Sequence, residues 1–251
     1  MDNYFVSSCK RVKDWICRQF GQKEKKTVHH KKFADGGEVI VWETGRAGEE
    51  AASYENLFLR KEIAGFRTNI RREQSCSIKS LTRDYLYKQL LSSGEYTFDH
   101  MLVIKDPYGE APLTALALFI LEEPACVRVT TKGNLKETDF VTELPKKKEH
   151  RVPILGMYAE KANDIVIEIL DDEGNCVKSH TFTIRTKRLP KSLRNVITVK
   201  KWTDKPAYSN IMINGGVKIH TCVFDIEGKI RYYLSRKPRG YGIFPCLLYT
   251  S

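Results

Sequence analysis

The chain has 251 residues, 41% of them hydrophobic and 29% charged, with 42 Lys/Arg against 31 Asp/Glu for a formal net charge of +11. That length supports a packed core in one large domain or two small ones, and the charged fraction suits a globular chain. No apolar run reaches the roughly eighteen residues of a membrane-spanning helix, which excludes such a helix at the level of sequence.

Tyr4, Phe5, Cys9, Val12, Trp15, Ile16 and Phe20 recur at three- and four-residue spacing, with Lys10, Arg11, Lys13 and Arg18 between them. This predicts a basic amphipathic helix ended by Gly21. Such a helix either lies on an anionic membrane surface or docks its apolar face on the rest of the protein, and the residues leave both open. Because this stretch alternates apolar and charged positions, it does not read as a secretory leader. The chain as written is expected in the cytoplasm, with an exported location following if its native start differs.

Residues 22–32 read as a polar linker, and the adjacent His29 and His30 as solvated side chains. Charge comes in blocks: nine Lys/Arg against three Asp/Glu over 1–32, one against six over 33–59, and eight against three over 60–88. These blocks read as solvated faces that pair with one another. No aromatic-interleaved strand or recognition helix accompanies them, so nucleic acid is not an expected partner. Residues 38–42 read as a short strand, and helices are expected over 53–66 and 80–92, the second with Ser80 as its N-cap and Gly94 as its stop. Residues 1–95 are therefore expected to form a helical, basic extension without a catalytic constellation.

From Tyr96 the pattern turns to β. Asp106-Pro107-Tyr108-Gly109 has the chemistry of a tight turn, a proline fixing φ and a glycine tolerating φ > 0. It feeds an almost wholly apolar run from Leu113 to Phe119, which reads as a buried strand. Val127, Val129 and Thr131 alternate with Arg128 and Thr130; residues 151–155 and 164–170 are further strands; a turn at 171–175 returns the chain into 177–186. Strands this short, with frequent turns over about ninety residues, suggest an antiparallel sandwich over 96–190. After a basic linker, strands are expected at 211–214 and 217–225, then at 229–235 beyond the Glu227-Gly228 turn.

Three stretches carry a family resemblance. The block Pro107-Tyr108-Gly109, with Pro112-Leu113-Thr114-Ala115 following, resembles the opening of the immunoglobulin-like N-terminal domain of bacterial aryl-sulfate sulfotransferases. His150 to Tyr158, with its Leu155-Gly156-Met157-Tyr158 end, is similar to a leucine-glycine-leucine-tyrosine segment of that domain, and Arg185 to Pro190 to its exit. Asp225, Gly228, Ile230, Arg231, Tyr232, Tyr233 and Leu234 resemble the family's Asp-x-x-Gly-x-(Ile/Val)-Arg-Trp-Tyr-Leu pattern in the first blade of a β-propeller, with Tyr232 where the pattern has tryptophan. Cys246 to Ser251 departs from the pattern and is read as translated sequencing adapter, so that 196–245 is a first blade cut short.

The expected fold is thus mainly β with a helical N-terminal extension: an Ig-like antiparallel β-sandwich followed by the first blade of a truncated β-propeller. The resemblance implies transfer of a sulfuryl group from a phenolic sulfate ester to a phenol, through a covalently modified histidine and without a nucleotide sulfate donor. The histidines and arginine that serve this chemistry in the family lie on later blades. None of His100, His150, His180 and His220 stands in the family's His-His-Asp context, so no catalytic residue is assigned, and the fragment alone is expected to be inactive. Arg231 and Tyr232 lie on the blade, and alternation leaves open which of them points inward.

No cofactor-binding or metal-ligating residue is assigned. The seven cysteines, at 9, 17, 76, 126, 176, 222 and 246, show no ligand or disulfide spacing. The expected partners are the phenolic donor and acceptor of the full-length protein, a second copy in a homodimer, and an anionic membrane surface for the N-terminal helix. A reading from a different class stays open beside the enzyme: a non-catalytic Ig-like adhesion or binding module with a membrane-associating basic helix.

Overall fold

The computed structural model describes residues 28–33, 37–63, 72–195, 197–198, 210–213 and 220–235. The amphipathic segment 4–20, residues 217–219 and the terminal 246–251 lie outside the described residues. In chain order the elements are β1 (Val28–Lys32), β2 (Glu38–Trp42), α1 (Thr44–Ile63), α2 (Arg72–Ser92), β3 (His100–Lys105), β4 (Ala115–Thr131), β5 (Phe140–Ile154), β6 (Ala162–Leu170) and β7 (Cys176–Arg185). A second group follows: β8 (Asn210–Ile213), β9 (Cys222–Asp225) and β10 (Ile230–Tyr233).

The first seven strands form one sheet in the order β1-β2-β3-β4-β6-β7, with β5 paired to the other edge of β4. Its organising strand is β4, 17 residues long. One edge of β4 pairs first with β3, Ala115 opposite Lys105, and later with β6, Thr131 opposite Ile165. The change of partner coincides with register shifts against β5 between Ile120 and Val127. The sheet bends there, and its two halves face one another across a shared interior, as in a sandwich. Val39, Val41, Met101, Val103, Ala117 and Phe119 from one half meet Val127, Val129, Ile165, Ile167, Phe182 and Ile184 from the other in a single cluster.

The free edges of the bent sheet come together. Phe33, just after β1, stacks on His180 of β7 with ring centroids 4.0 Å apart, and the Lys31 ammonium donates to the Thr183 carbonyl. His180 is stacked on its other side by Phe98, at 4.6 Å, and its Nε2 lies 2.8 Å from Asp99 Oδ1. The sheet is thereby nearly closed on itself.

β2 and β3 are parallel, Glu38 opposite His100 through Trp42 opposite Ile104. A parallel pair needs a crossover, and α1 and α2 supply it. They cover the outer face of the first half-sheet, where Ala47, Ala51, Leu86, Tyr87 and Leu91 bury Ile40, Trp42, Leu102, Ile104, Leu116 and Leu118. This explains why the 113–119 run is apolar without alternation: Ala117 and Phe119 face the interior, Leu116 and Leu118 face the helices, and both faces are dry.

Three local expectations change. Residues 28–32, within the stretch expected as a linker, form β1, whose five residues are all exposed. Its pairing comes from β2 through the backbone, so no apolar alternation marks it. The first helix begins at Thr44, not near 53, and its Thr44 hydroxyl donates to the Lys105 carbonyl at 2.8 Å. The second begins at Arg72, so Ser80 lies inside α2 and is not its N-cap. Strands β1 and β2 also join the sheet, so the segment through residue 95 contributes two strands as well as two helices. Among the described residues, no helix is long and apolar enough to cross a membrane.

Candidate functional site

A buried polar cluster joins the seven-stranded sheet to the three-stranded sheet β10-β9-β8. It is built from a hairpin turn. Asp225 ends β9, and its Oδ1 accepts the backbone N–H groups of Glu227 at 3.0 Å and Lys229 at 2.9 Å, while its carbonyl accepts that of Gly228. Gly228 has φ 74, a conformation the turn needs and side-chain-bearing residues avoid. With Oδ1 committed to the turn, Oδ2 faces the Ig-like half of the molecule. There it accepts the Tyr158 hydroxyl at 2.9 Å.

Arg231, the second residue of β10, enters the same space and is 1% exposed. Its Nε donates to the Gly156 carbonyl at 2.6 Å and its Nη1 to the Thr138 carbonyl at 2.7 Å and the Tyr158 hydroxyl at 3.0 Å. Nη1 is also 3.4 Å from Asp225 Oδ2, and the guanidinium carbon lies 4.0 Å from the Tyr158 ring centroid. Nη2 is buried and has no hydrogen-bond partner among the described residues. Burial pushes the Tyr158 phenol above its ordinary value and outweighs the lowering by Thr138, the Asn134 backbone and the Arg231 charge, so the group keeps the proton it donates.

The loop of β5 to β6 is shaped to receive this arginine. Gly156 has φ 73, and a Cβ there would meet the Phe140 side chain at 2.6 Å. Tyr158 is held by its own backbone: its N–H donates to Asn163 Oδ1 at 2.7 Å, and its carbonyl accepts Asn163 Nδ2 at 3.0 Å and the Thr186 hydroxyl at 2.5 Å. Apolar packing runs through the same joint, since Cys222, Phe224, Ile230 and Tyr233 belong to the interior cluster of the seven-stranded sheet. A backbone bond from Ser235 to the Glu110 carbonyl, at 2.7 Å, ties the end of β10 to the Pro-Tyr-Gly loop.

The Pro-Tyr-Gly turn has a second role as the seat of α2. The Pro107 carbonyl accepts Arg83 Nη1 at 2.5 Å and the Tyr87 hydroxyl. The Tyr108 hydroxyl donates to Asp84 Oδ1 at 2.6 Å, and Arg151 Nη2 bridges the same oxygen at 2.5 Å. Burial, then the Asp84 hydrogen bond and charge, push the Tyr108 phenol up to about 12.

The four histidines of the β region are dispersed. His100 Nδ1 lies 2.9 Å from Glu38 Oε1. His150 is buried at the β4–β5 bend, and His180 is stacked between two phenylalanines. His220 is buried, donates from Nδ1 to the Leu234 carbonyl at 2.7 Å, and meets Tyr233 edge-on. Among the described residues, no group of three or more His, Cys, Asp or Glu side chains is arranged to hold a metal ion. Of the two β10 residues left open by alternation, Arg231 is the one that turns into the joint.

Sequence reasoning did not single out Tyr158, Thr138 or Gly156 as partners of Arg231. The signal that points to them is the motif pair itself: an acid and a base six positions apart across one hairpin, and a Gly-x-Tyr at the end of a strand. Residues 102–187, from within β3 to just past β7, match the family model of the arylsulfotransferase Ig-like domain. No curated protein matches the chain. The part of the bent sheet that receives Arg231 therefore matches the arylsulfotransferase Ig-like domain.

Proposed function

We propose that this chain is the N-terminal part of an aryl-sulfate sulfotransferase and that β8, β9 and β10 belong to the first blade of its β-propeller. The observation that carries the reading is the arylsulfotransferase Ig-like domain at 102–187. The buried Asp225–Arg231 joint supports it, because it fastens the second sheet to that domain in a fixed orientation, as a propeller built onto the domain requires.

In this reading a histidine of the propeller attacks the sulfur of a phenolic sulfate ester. An N–S bond forms, the S–O bond to the aryl group breaks, and the phenolate leaves with the electron pair. The oxygen of an acceptor phenol then attacks the same sulfur: an S–O bond forms, the N–S bond breaks and returns its electron pair to the imidazole, and the proton of the acceptor passes to the released phenolate. Cationic and hydrogen-bonding side chains stabilise the charge that builds on the sulfuryl oxygens and the departing phenolate. That His150, His180 and His220 are buried and His100 faces Glu38 supports a nucleophile other than these four histidines.

The test is release of a chromogenic phenol from its sulfate ester, dependent on added acceptor phenol. The 251 residues fused to the remaining blades of a relative are expected to turn over, and the 251 residues alone are not. A fusion that folds yet gives no acceptor-dependent release would leave the domain as a non-catalytic binding module.

A further inference from the structure

His150 sits at the point where the two longest strands change direction. Ile120 pairs with Glu149, but the next matched positions are Ala125 with Lys147 and Val127 with Leu144, so β4 carries extra residues through the bend. The His150 imidazole fills the inside of that bend and is 2% exposed. It stacks on Phe119 at 5.3 Å with 22° between the ring planes, and Phe119 in turn meets Phe98 edge-on at 5.4 Å. Its Nε2 lies 2.8 Å from the Lys147 carbonyl, within the same irregular stretch. The ring therefore sits beside the last regular pairs of the ladder, Phe119 with His150 and Ile120 with Glu149, and reaches back to the carbonyl of Lys147 in the irregular stretch.

We propose that the β4–β5 bend is a proton-sensitive hinge, in which protonation of His150 withdraws the ring from its seat on Phe119 and loosens the pairing of 120–127 with 144–149. The two half-sheets, each held by its own ladder, stay paired; what changes is the stiffness of the corner between them.

The surroundings favour the neutral ring. Burial lowers the His150 pKa; hydrogen bonds to the Lys147 and Ala125 backbone offset only part of that, and the Lys147 ammonium adds to it. Lys147 is the charged group acting on the ring from β5 itself, while β4 presents Phe119 and the Ala125 backbone, neither of which ionises. The sign follows. An imidazole whose folded pKa is depressed stabilises the bend fully above its unfolded value of about 6.5, and that contribution is lost as pH falls toward the folded value.

Hydrogen–deuterium exchange of the full 251-residue chain, corrected for the intrinsic pH dependence of exchange, tests this between pH 7.5 and 5. Exchange in peptides covering 119–127 and 144–151 should rise by up to about tenfold per pH unit, the limit for opening linked to one proton. Peptides covering β6 and β7 should change little. In His150→Gln, which cannot be protonated, the local rise should vanish. A nuclear magnetic resonance titration of the wild-type imidazole, which needs no variant, should give a pKa below that of a free histidine. A titration at or above the free value, or a pH response shared equally by all strands, overturns the proposal.

Discussion

The guanidinium carbon of Arg231 lies over Tyr158, 4.0 Å from its ring centroid, while Nη1 donates to the Tyr158 hydroxyl at 3.0 Å. The same hydroxyl donates to Asp225, so one tyrosine of the Ig-like domain holds both charged residues of the β9–β10 hairpin. Removing that oxygen leaves a buried carboxylate oxygen short of a donor. Tyr158→Phe is therefore expected to lower stability by about 1–3 kcal/mol, read from the urea midpoint at pH 7.

At Gly156 the backbone is left-handed and the space for a side chain is filled by Phe140, 2.6 Å from where a Cβ would sit. Gly156→Ala therefore meets both conformational strain and a clash, and its carbonyl must move away from Arg231 Nε. The cost should be at least about 1–3 kcal/mol, with the thermal midpoint as the readout. Gly174→Ala makes the comparison: it has φ 85 but nothing within 4 Å, so it should cost less.

Leu116 packs on the helix-facing side of β4 with Leu86, Tyr87 and Leu91 in the same cluster. In Leu116→Asp a carboxylate enters this apolar cluster. An unpaired buried charge costs several kcal/mol, enough to unfold the domain. Far-ultraviolet circular dichroism should lose its cooperative melt.

Acid should weaken the closed edge of the sheet. The hydrogen bond from Lys178, first, holds the Asp99 carboxyl below the usual aspartate value; burial opposes it, and the His180 hydrogen bond and the charges of both partners add to the lowering. A depressed carboxylate contributes stability that is fully present above about pH 4, its unfolded value, and is lost as pH falls through the folded value. Asp99→Asn should therefore show a smaller drop in urea midpoint between pH 5 and pH 3 than the wild type. An equal drop in both would remove Asp99 from the closure.

Much of this fold is legible in the residues. The dry run through Leu116 and Phe119, the turn at 171–175 and the alternation of Val127, Val129 and Thr131 each mark their strands, because side-chain burial imposes the pattern. β1 is illegible for the opposite reason: Val28-His-His-Lys-Lys is wholly exposed and is held by backbone bonds to β2. The orientation of Arg231 was equally hidden. Ile230, Arg231 and Tyr233 are all buried, so no period of two survives in β10. Its partners Thr138, Gly156 and Tyr158 come from segments 73 to 93 positions away, and two of them offer only a backbone carbonyl, which no side-chain pattern marks.

The central structural claim is that Arg231 makes the Ig-like domain and the three-stranded sheet one cooperative unit. Its most direct test is peptide-resolved hydrogen exchange across a urea series for the wild type and Arg231→Met. In the wild type, β6, β7, β9 and β10 should lose protection together. In Arg231→Met the buried Asp225 loses its cation, costing about 3–5 kcal/mol, and β9 and β10 should open at lower urea than β6 and β7. If β9 and β10 already open separately in the wild type, or if the substitution leaves their opening unchanged, the claim is contradicted.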